Sequence, residues 1–195
     1  MKLNTSAISV CSAALLELGS RPINDFDENT EGARLCANLW PILRDNMLRL
    51  HPWNFAKKRV KLSPTKDIPE FGYSFAFNVP ADFLRVISVN GEYAKGMAWP
   101  EGYTLENGQI LSDVPSLHLQ YVYRNEEPIN WDSEFTRLMV LTMKKSLAYP
   151  VTRDNAVKND AEQEWAIALR LAKSTNGIET QPNEFGGDAF LKARY

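Results

Sequence analysis

The sequence predicts an α+β fold: a bundle of four helices interrupted by a small antiparallel β-sheet region, followed by an extended C-terminal tail. Three observations predict it. Apolar residues recur every three or four positions near both ends of the chain, the helical period. Between residues 57 and 125 the period falls to two, and β-branched and aromatic residues gather there. Beyond residue 176 neither period holds. The helical bundle is therefore assigned to residues 1–56 and 132–175, the inserted antiparallel β region to 57–131, and an extended arm to 176–195.

Asn4 or Thr5 is placed to cap the first helix. Ile8, Cys11, Leu15 and Leu18 follow on one face, and Gly19 with Arg21-Pro22 ends it. Residues 23–28 read as an acidic loop. The second helix starts after Thr30, with Cys36, Leu39, Trp40, Leu43, Met47 and Leu50 as its apolar stripe. Pro41 interrupts that stripe and predicts a kink or break, because proline removes a backbone donor and clashes with the preceding turn. Arg34, Arg44, Asp45 and Arg49 fall off the stripe, which predicts solvated or interfacial side chains. His51-Pro52 ends the helix, and Trp53 and Phe55 read as a hydrophobic plug between bundle and sheet.

Strands are predicted over 57–62, 74–79, 84–89, 103–106, 109–112 and 117–123. Asn90-Gly91 and Asn107-Gly108 are tight-turn signals. The block reads as an antiparallel meander. Asp132 or Ser133 caps a third helix that is apolar on most sides, which predicts a central position. Tyr149-Pro150 is expected to stop it. A fourth helix is expected from Thr152, with Val157, Ala161, Trp165, Ala168, Leu169 and Ala172 on one face and Asn176-Gly177 closing it. The remaining tail, with isolated Phe185, Phe190 and Tyr195, has no core of its own.

Composition narrows the function. The formal net charge is −2 and the pI about 5.8, which argues against a broad phosphate-gripping surface. Cys11 and Cys36 both fall on apolar helix faces and read as reduced core thiols. His51 and His118 are the sole histidines, so no metal site is expected. No signal peptide, no membrane span, no glycine-rich phosphate loop and no Cys-x-x-Cys motif is found. No catalytic or cofactor-binding residue is assigned, and no enzymatic role or cofactor is expected. The strongest polar signal is the strand at 57–62, where Lys57, Arg59 and Lys61 share one face. Three readings stay open for it: a solvated edge strand, a subunit interface, or a phosphate contact.

Several motifs carry a resemblance. Leu48-Arg49-Leu50 followed by His51-Pro52-Trp53-Asn54-Phe55-Ala56 resembles the helix-end signature of the tail tubular protein A family, the head-to-tail adaptors or gatekeepers of short-tailed bacteriophages. Val79-Pro80-Ala81-Asp82-Phe83-Leu84-Arg85-Val86 resembles its β-region motif. Leu147-Ala148-Tyr149-Pro150-Val151-Thr152 resembles the turn between its last long helices, and Gly187-Asp188-Ala189-Phe190 its tail. The resemblance implies a twelve-copy ring in the virion, at the head–tail junction, assembled in the bacterial host cytoplasm. Its partners would be a portal protein above, a tail nozzle and tail fibres below, and DNA passing through the lumen without tight binding. It makes the C-terminal arm the portal-docking element, with Phe185, Phe190, Arg194 and Tyr195 as its contacts. It implies that the isolated protein stays monomeric, or only loosely associated, until a portal templates the ring. The alternative reading is a small nucleic-acid-binding factor that uses the basic strand with Trp53 and Phe55.

Overall fold

Each helix begins at a residue able to satisfy the free amides of its first turn. The computed structural model describes residues 5–66, 69–93 and 102–179. Helix α1, Ala7–Glu17, is capped by Ser6 rather than by Thr5. The Ser6 hydroxyl accepts from the Ser9 amide, and Ser9 returns the bond to the Ser6 amide, a reciprocal capping box. Asn4 lies outside the described residues. Thr30 caps α2, Glu31–Leu50, and Asp132 caps α3, Ser133–Thr152. Asp154 caps α4, Asn155–Ile178.

Three helix boundaries differ from the sequence reading. Helix α2 runs unbroken through Pro41, which sits on its exposed side, where the turn it disturbs borders solvent. Helix α3 also continues past Tyr149-Pro150. It ends three residues later, where Arg153 takes a left-handed conformation (φ 58°) and its amide returns to the Tyr149 carbonyl. Helix α4 accordingly starts at Asn155, not Thr152. It passes through Asn176-Gly177 to Ile178, so residues 176–178 belong to the helix and not to an extended arm.

Helix α3 forms the centre of the bundle. Phe135, Leu138, Met139, Val140, Leu141, Met143 and Leu147 are all buried, and together they cover most sides of the helix. Helices α1 and α2 meet it on one flank. Helix α4 meets the same core through Ala161, Trp165, Ala168, Leu169 and Ala172. Trp165 donates its indole N–H to the Thr142 hydroxyl, which ties α4 to α3 at a fixed height. Cys11 and Cys36 are free, fully buried and in contact across α1 and α2. The bond to Cys36 and burial push the Cys11 thiol far above its ordinary value, while the same bond lowers that of Cys36, so Cys11 is the member that keeps its proton.

The β region is not a meander. Strands β1 (Lys57–Leu62), β7 (Leu117–Tyr123), β3 (Phe83–Val89) and β4 (Glu92–Tyr93) form one antiparallel sheet, in that order. Strands β2 (Phe75–Asn78), β6 (Gln109–Ser112) and β5 (Tyr103–Glu106) form a second. The first strand thus pairs with the last, Lys57 opposite Val122 and Leu62 opposite Leu117. Alternation in a strand gives its face but not its neighbour, so period alone could not reveal this exchange. The two sheets enclose Phe77, Val86, Val89, Tyr103, Ile110, Leu117, Leu119 and Tyr121.

The molecule is therefore layered: helices, four-stranded sheet, three-stranded sheet. The middle layer serves both sides. Strand β7 gives Leu117, Leu119 and Tyr121 to the sandwich and Val122 to the helical core. Two irregularities in β3, between Phe83 and Arg85 and between Val86 and Ser88, shift its register. They let Leu84 and Ile87 join the helical core while Val86 and Val89 face the sandwich.

Candidate functional site

Two features concentrate the polar chemistry of this fold: the join at residues 51–57 and the open half of the four-stranded sheet. The join lies between α2 and β1. Trp53 is wholly buried, and its indole donates to the Met47 carbonyl at 2.9 Å, a partner that the helix end leaves free. Its ring meets Phe135 edge-on at 5.0 Å, Phe55 meets Phe135 at 4.9 Å, and Trp131 meets Phe135 at 4.9 Å. The plug reading holds: these rings form the floor of the bundle. Trp53 has no exposed face to offer a nucleobase.

Asn54 points the other way, toward the end of α4. Its backbone amide donates to Asn176 Oδ1 at 2.8 Å, and its Nδ2 donates to the Asn176 carbonyl at 3.1 Å. Asn176 Nδ2 lies 3.0 Å from His51 Nε2. Only a neutral imidazole can accept there. Burial, followed by the charges of Lys173, Lys57 and Arg85, holds the His51 pKa down at about 4. The proton of the neutral ring is then assigned to Nδ1. The three side chains clamp the last turn of α4 to the join, three residues before the described chain ends. Sequence reasoning missed Asn176 because Asn-Gly reads as a helix stop. No local pattern links it to Asn54.

Helix α2 is held to the sheet by charges that the sequence reading placed in solvent or at an interface. Arg44 is only 9% exposed; its Nε donates to Asp45 Oδ1 at 2.9 Å and its Nη2 lies 3.2 Å from Glu126. Asp45 in turn receives Arg124 at 2.8 Å. Arg49 donates to the Leu84 carbonyl, and Arg85 donates back to the Arg49 carbonyl. These residues were invisible as a network because Glu126, Arg124 and Leu84 are distant in sequence.

The predicted basic strand divides into two parts. Lys57 is half-buried and donates its ammonium to Asn54 Oδ1 at 2.8 Å. Burial first, and Arg59 second, lower its pKa. Lys57 therefore belongs to the join. Arg59 and Lys61 are exposed and stand on the same face in the next rows. Arg59 is opposite Gln120, and Gln120 is opposite Ser88; Lys61 is opposite His118. His118 is exposed, its amide donating to the Asn90 side chain of the turn. This face extends past the bundle and forms an open groove of about 440 Å³. Strand β1 ends the sheet order, a position compatible with each of the three readings of its cations.

Phe185, Phe190, Arg194 and Tyr195 lie outside the described residues. Among the described residues no group of three or more His, Cys, Asp or Glu is placed to hold a metal ion, and no helix is long and apolar enough to cross a membrane. Compared with models of known protein families and with curated protein sequences, the chain matches none.

Proposed function

We propose that this chain is a subunit of a virion head-to-tail adaptor ring, seated between a portal protein and the tail nozzle of a short-tailed bacteriophage. The reading rests on the ordered set of motifs that resemble the tail tubular protein A family. One structural observation supports it above the others: the helix-end signature at 51–56 is tied by Asn54 and His51 to Asn176, at the root of the C-terminal segment. A docking arm transmits a grip to its subunit only if its root is fixed. In this chain the root is fixed to the join where bundle and sheet meet.

The ring encloses DNA without holding it tightly, which agrees with a net charge of −2. The alternative, a nucleic-acid-binding factor, loses Trp53, which is fully buried, and keeps only the half-buried Phe55. Arg59, Lys61 and His118 remain for phosphate contact, and no phenylalanine, tyrosine or tryptophan ring among the described residues lines their groove.

The test is capture by portal rings. The full chain, mixed with purified portals of a short-tailed phage, is expected to appear as a ring below the portal in electron micrographs. A chain truncated after Glu179 keeps all of α4 and is expected to retain its helical signal and melting temperature but lose capture. Undiminished capture by the truncated chain refutes the docking arm. A stable dodecamer of pure protein without portal refutes templated assembly.

A further inference from the structure

The sandwich carries a second groove on its opposite side. On the outer face of the three-stranded sheet, Ala76 stands opposite Leu111 and Leu111 opposite Thr104; Asn78 stands opposite Gln109 and Gln109 opposite Glu106. The segment at 69–73 lies over this face, fixed by a 2.9 Å bond between the Tyr73 hydroxyl and Thr104. It frames a groove of about 390 Å³, rimmed by Glu70 and Glu106. Phe71 projects from it and is 87% exposed, the most exposed large apolar side chain among the described residues.

The two grooves are complementary. One holds Arg59, Lys61 and His118; the other holds Glu70 and Glu106 beside an unsheltered aromatic ring. Among the described residues none of these four charged groups has a salt-bridge partner, although nine ion pairs occur elsewhere. Lys58, one residue from Arg59 and on the other face of β1, is paired with Asp82 at 2.6 Å. The cations of the groove are thus left over while their neighbour is satisfied. The groove ends at the Asn90–Gly91 turn, where nothing among the described residues lies within 4 Å of the position a Cβ of Gly91 would take.

We propose that these two faces form the contact between successive copies of this chain. The Glu70–Phe71 ridge and Glu106 of one copy seat in the Arg59–Lys61–His118 groove of the next. The faces differ and lie on opposite sides of the sandwich. The contact is therefore head-to-tail, and it propagates from copy to copy until rotation closes it. A self-complementary twofold contact would need the same patch on both partners. With two or three exposed ion pairs and one aromatic ring, each contact is individually weak, since exposed pairs contribute little. The inference extends the ring reading above and names its subunit interface, but its test needs no portal.

The full-length chain is mixed as isotope-labelled and unlabelled copies at high concentration and treated with a zero-length carbodiimide cross-linker. Mass spectrometry is expected to find links between Lys61 of one copy and Glu70 or Glu106 of the other. Their absence overturns the proposal and leaves portal capture untouched. Two charge-swapped chains sharpen it. One carries Arg59→Glu and Lys61→Glu, and the other carries Glu70→Lys and Glu106→Lys. Each alone presents like charges on both faces and is expected to lose self-association in sedimentation. Mixed together, each groove meets a ridge of opposite charge, and association is expected to return. Unchanged association of either variant alone, or failure of the mixture to restore it, refutes the interface. If the links form and a portal still captures nothing, the adaptor reading falls and the interface stands.

Discussion

The two hydrophobic cores lie on opposite faces of one sheet, but they are held by different means. The helical core contains a set of aromatic rings around Phe135, with the Trp53 and Trp131 indoles donating to the Met47 and Asn125 carbonyls. The sandwich core is mostly aliphatic and phenolic, closed at its margin by Asp82, which accepts from both Tyr121 and Lys58. Burial, then Asp82, pushes the Tyr121 hydroxyl up to about 12. The directed bonds of the first core fix where the chain enters the sheet and where it leaves the last helix. The second core rests chiefly on shape, with its directed bond from Tyr121 to Asp82 at the margin, and can vary without moving the join.

The sharpest way to break this contrast is Trp53→Ala. It removes the largest fully buried side chain and leaves the Met47 carbonyl without its donor. A loss of about 3–5 kcal/mol is expected in urea denaturation, with helix and sheet signals lost together. Ile110→Ala in the sandwich is expected to cost about 2–4 kcal/mol. Hydrogen exchange should then show β2, β5 and β6 less protected while α3 keeps its protection. Equal loss in both regions would show that the cores unfold as one. Asn176→Ala removes the clamp without opening an apolar cavity and is expected to cost about 1–3 kcal/mol. Its signature is faster amide exchange at the end of α4 and at Asn54, with the sandwich unchanged.

The smallest expected effect is a pH dependence. Neutral His51 is required in the fold and its pKa is held at about 4, below the ordinary 6.5, so the unfolded chain binds a proton that the folded chain refuses. The contribution is complete above pH 6.5 and is lost as pH falls from 6.5 toward 4. Allowing for partial solvent screening of the ring, the loss is about 1–2 kcal/mol. His51→Gln keeps an acceptor for Asn176 but cannot titrate, so the slope of stability in that window should flatten. A slope that survives the substitution would assign it to other groups.

Much of this fold was legible in the residues. Helical stripes gave all four helices, and strict alternation with Asn-Gly turns gave six strands nearly to the residue. What period cannot carry is partnership. The pairing of β1 with β7, the division into two sheets and the role of Asn176 are relations between residues far apart in sequence. Pro150 misled as a helix stop, and Pro41 produced no break. Each deletes one hydrogen bond, and the contacts of α2 and α3 with the core outweigh that local cost. At the basic strand the sequence put three cations on one face, and two of them line the groove. It could not separate Lys57, because Asn54, its acceptor, belongs to a turn whose shape only the fold sets.

The exchange of neighbours in the four-stranded sheet also orders events during synthesis. Strand β1 leaves the ribosome early, but its only sheet partner among the described residues, β7, is translated after the other described strands. In the interval a six-residue ribbon with open backbone groups awaits its mate while the intervening hairpins form. Four of those six residues are lysine or arginine, and mutual repulsion between nascent chains on one messenger keeps such ribbons from pairing with each other. Charge on this strand, part of which lines a groove in the finished fold, thus also disfavours pairing between strands before the sheet is complete.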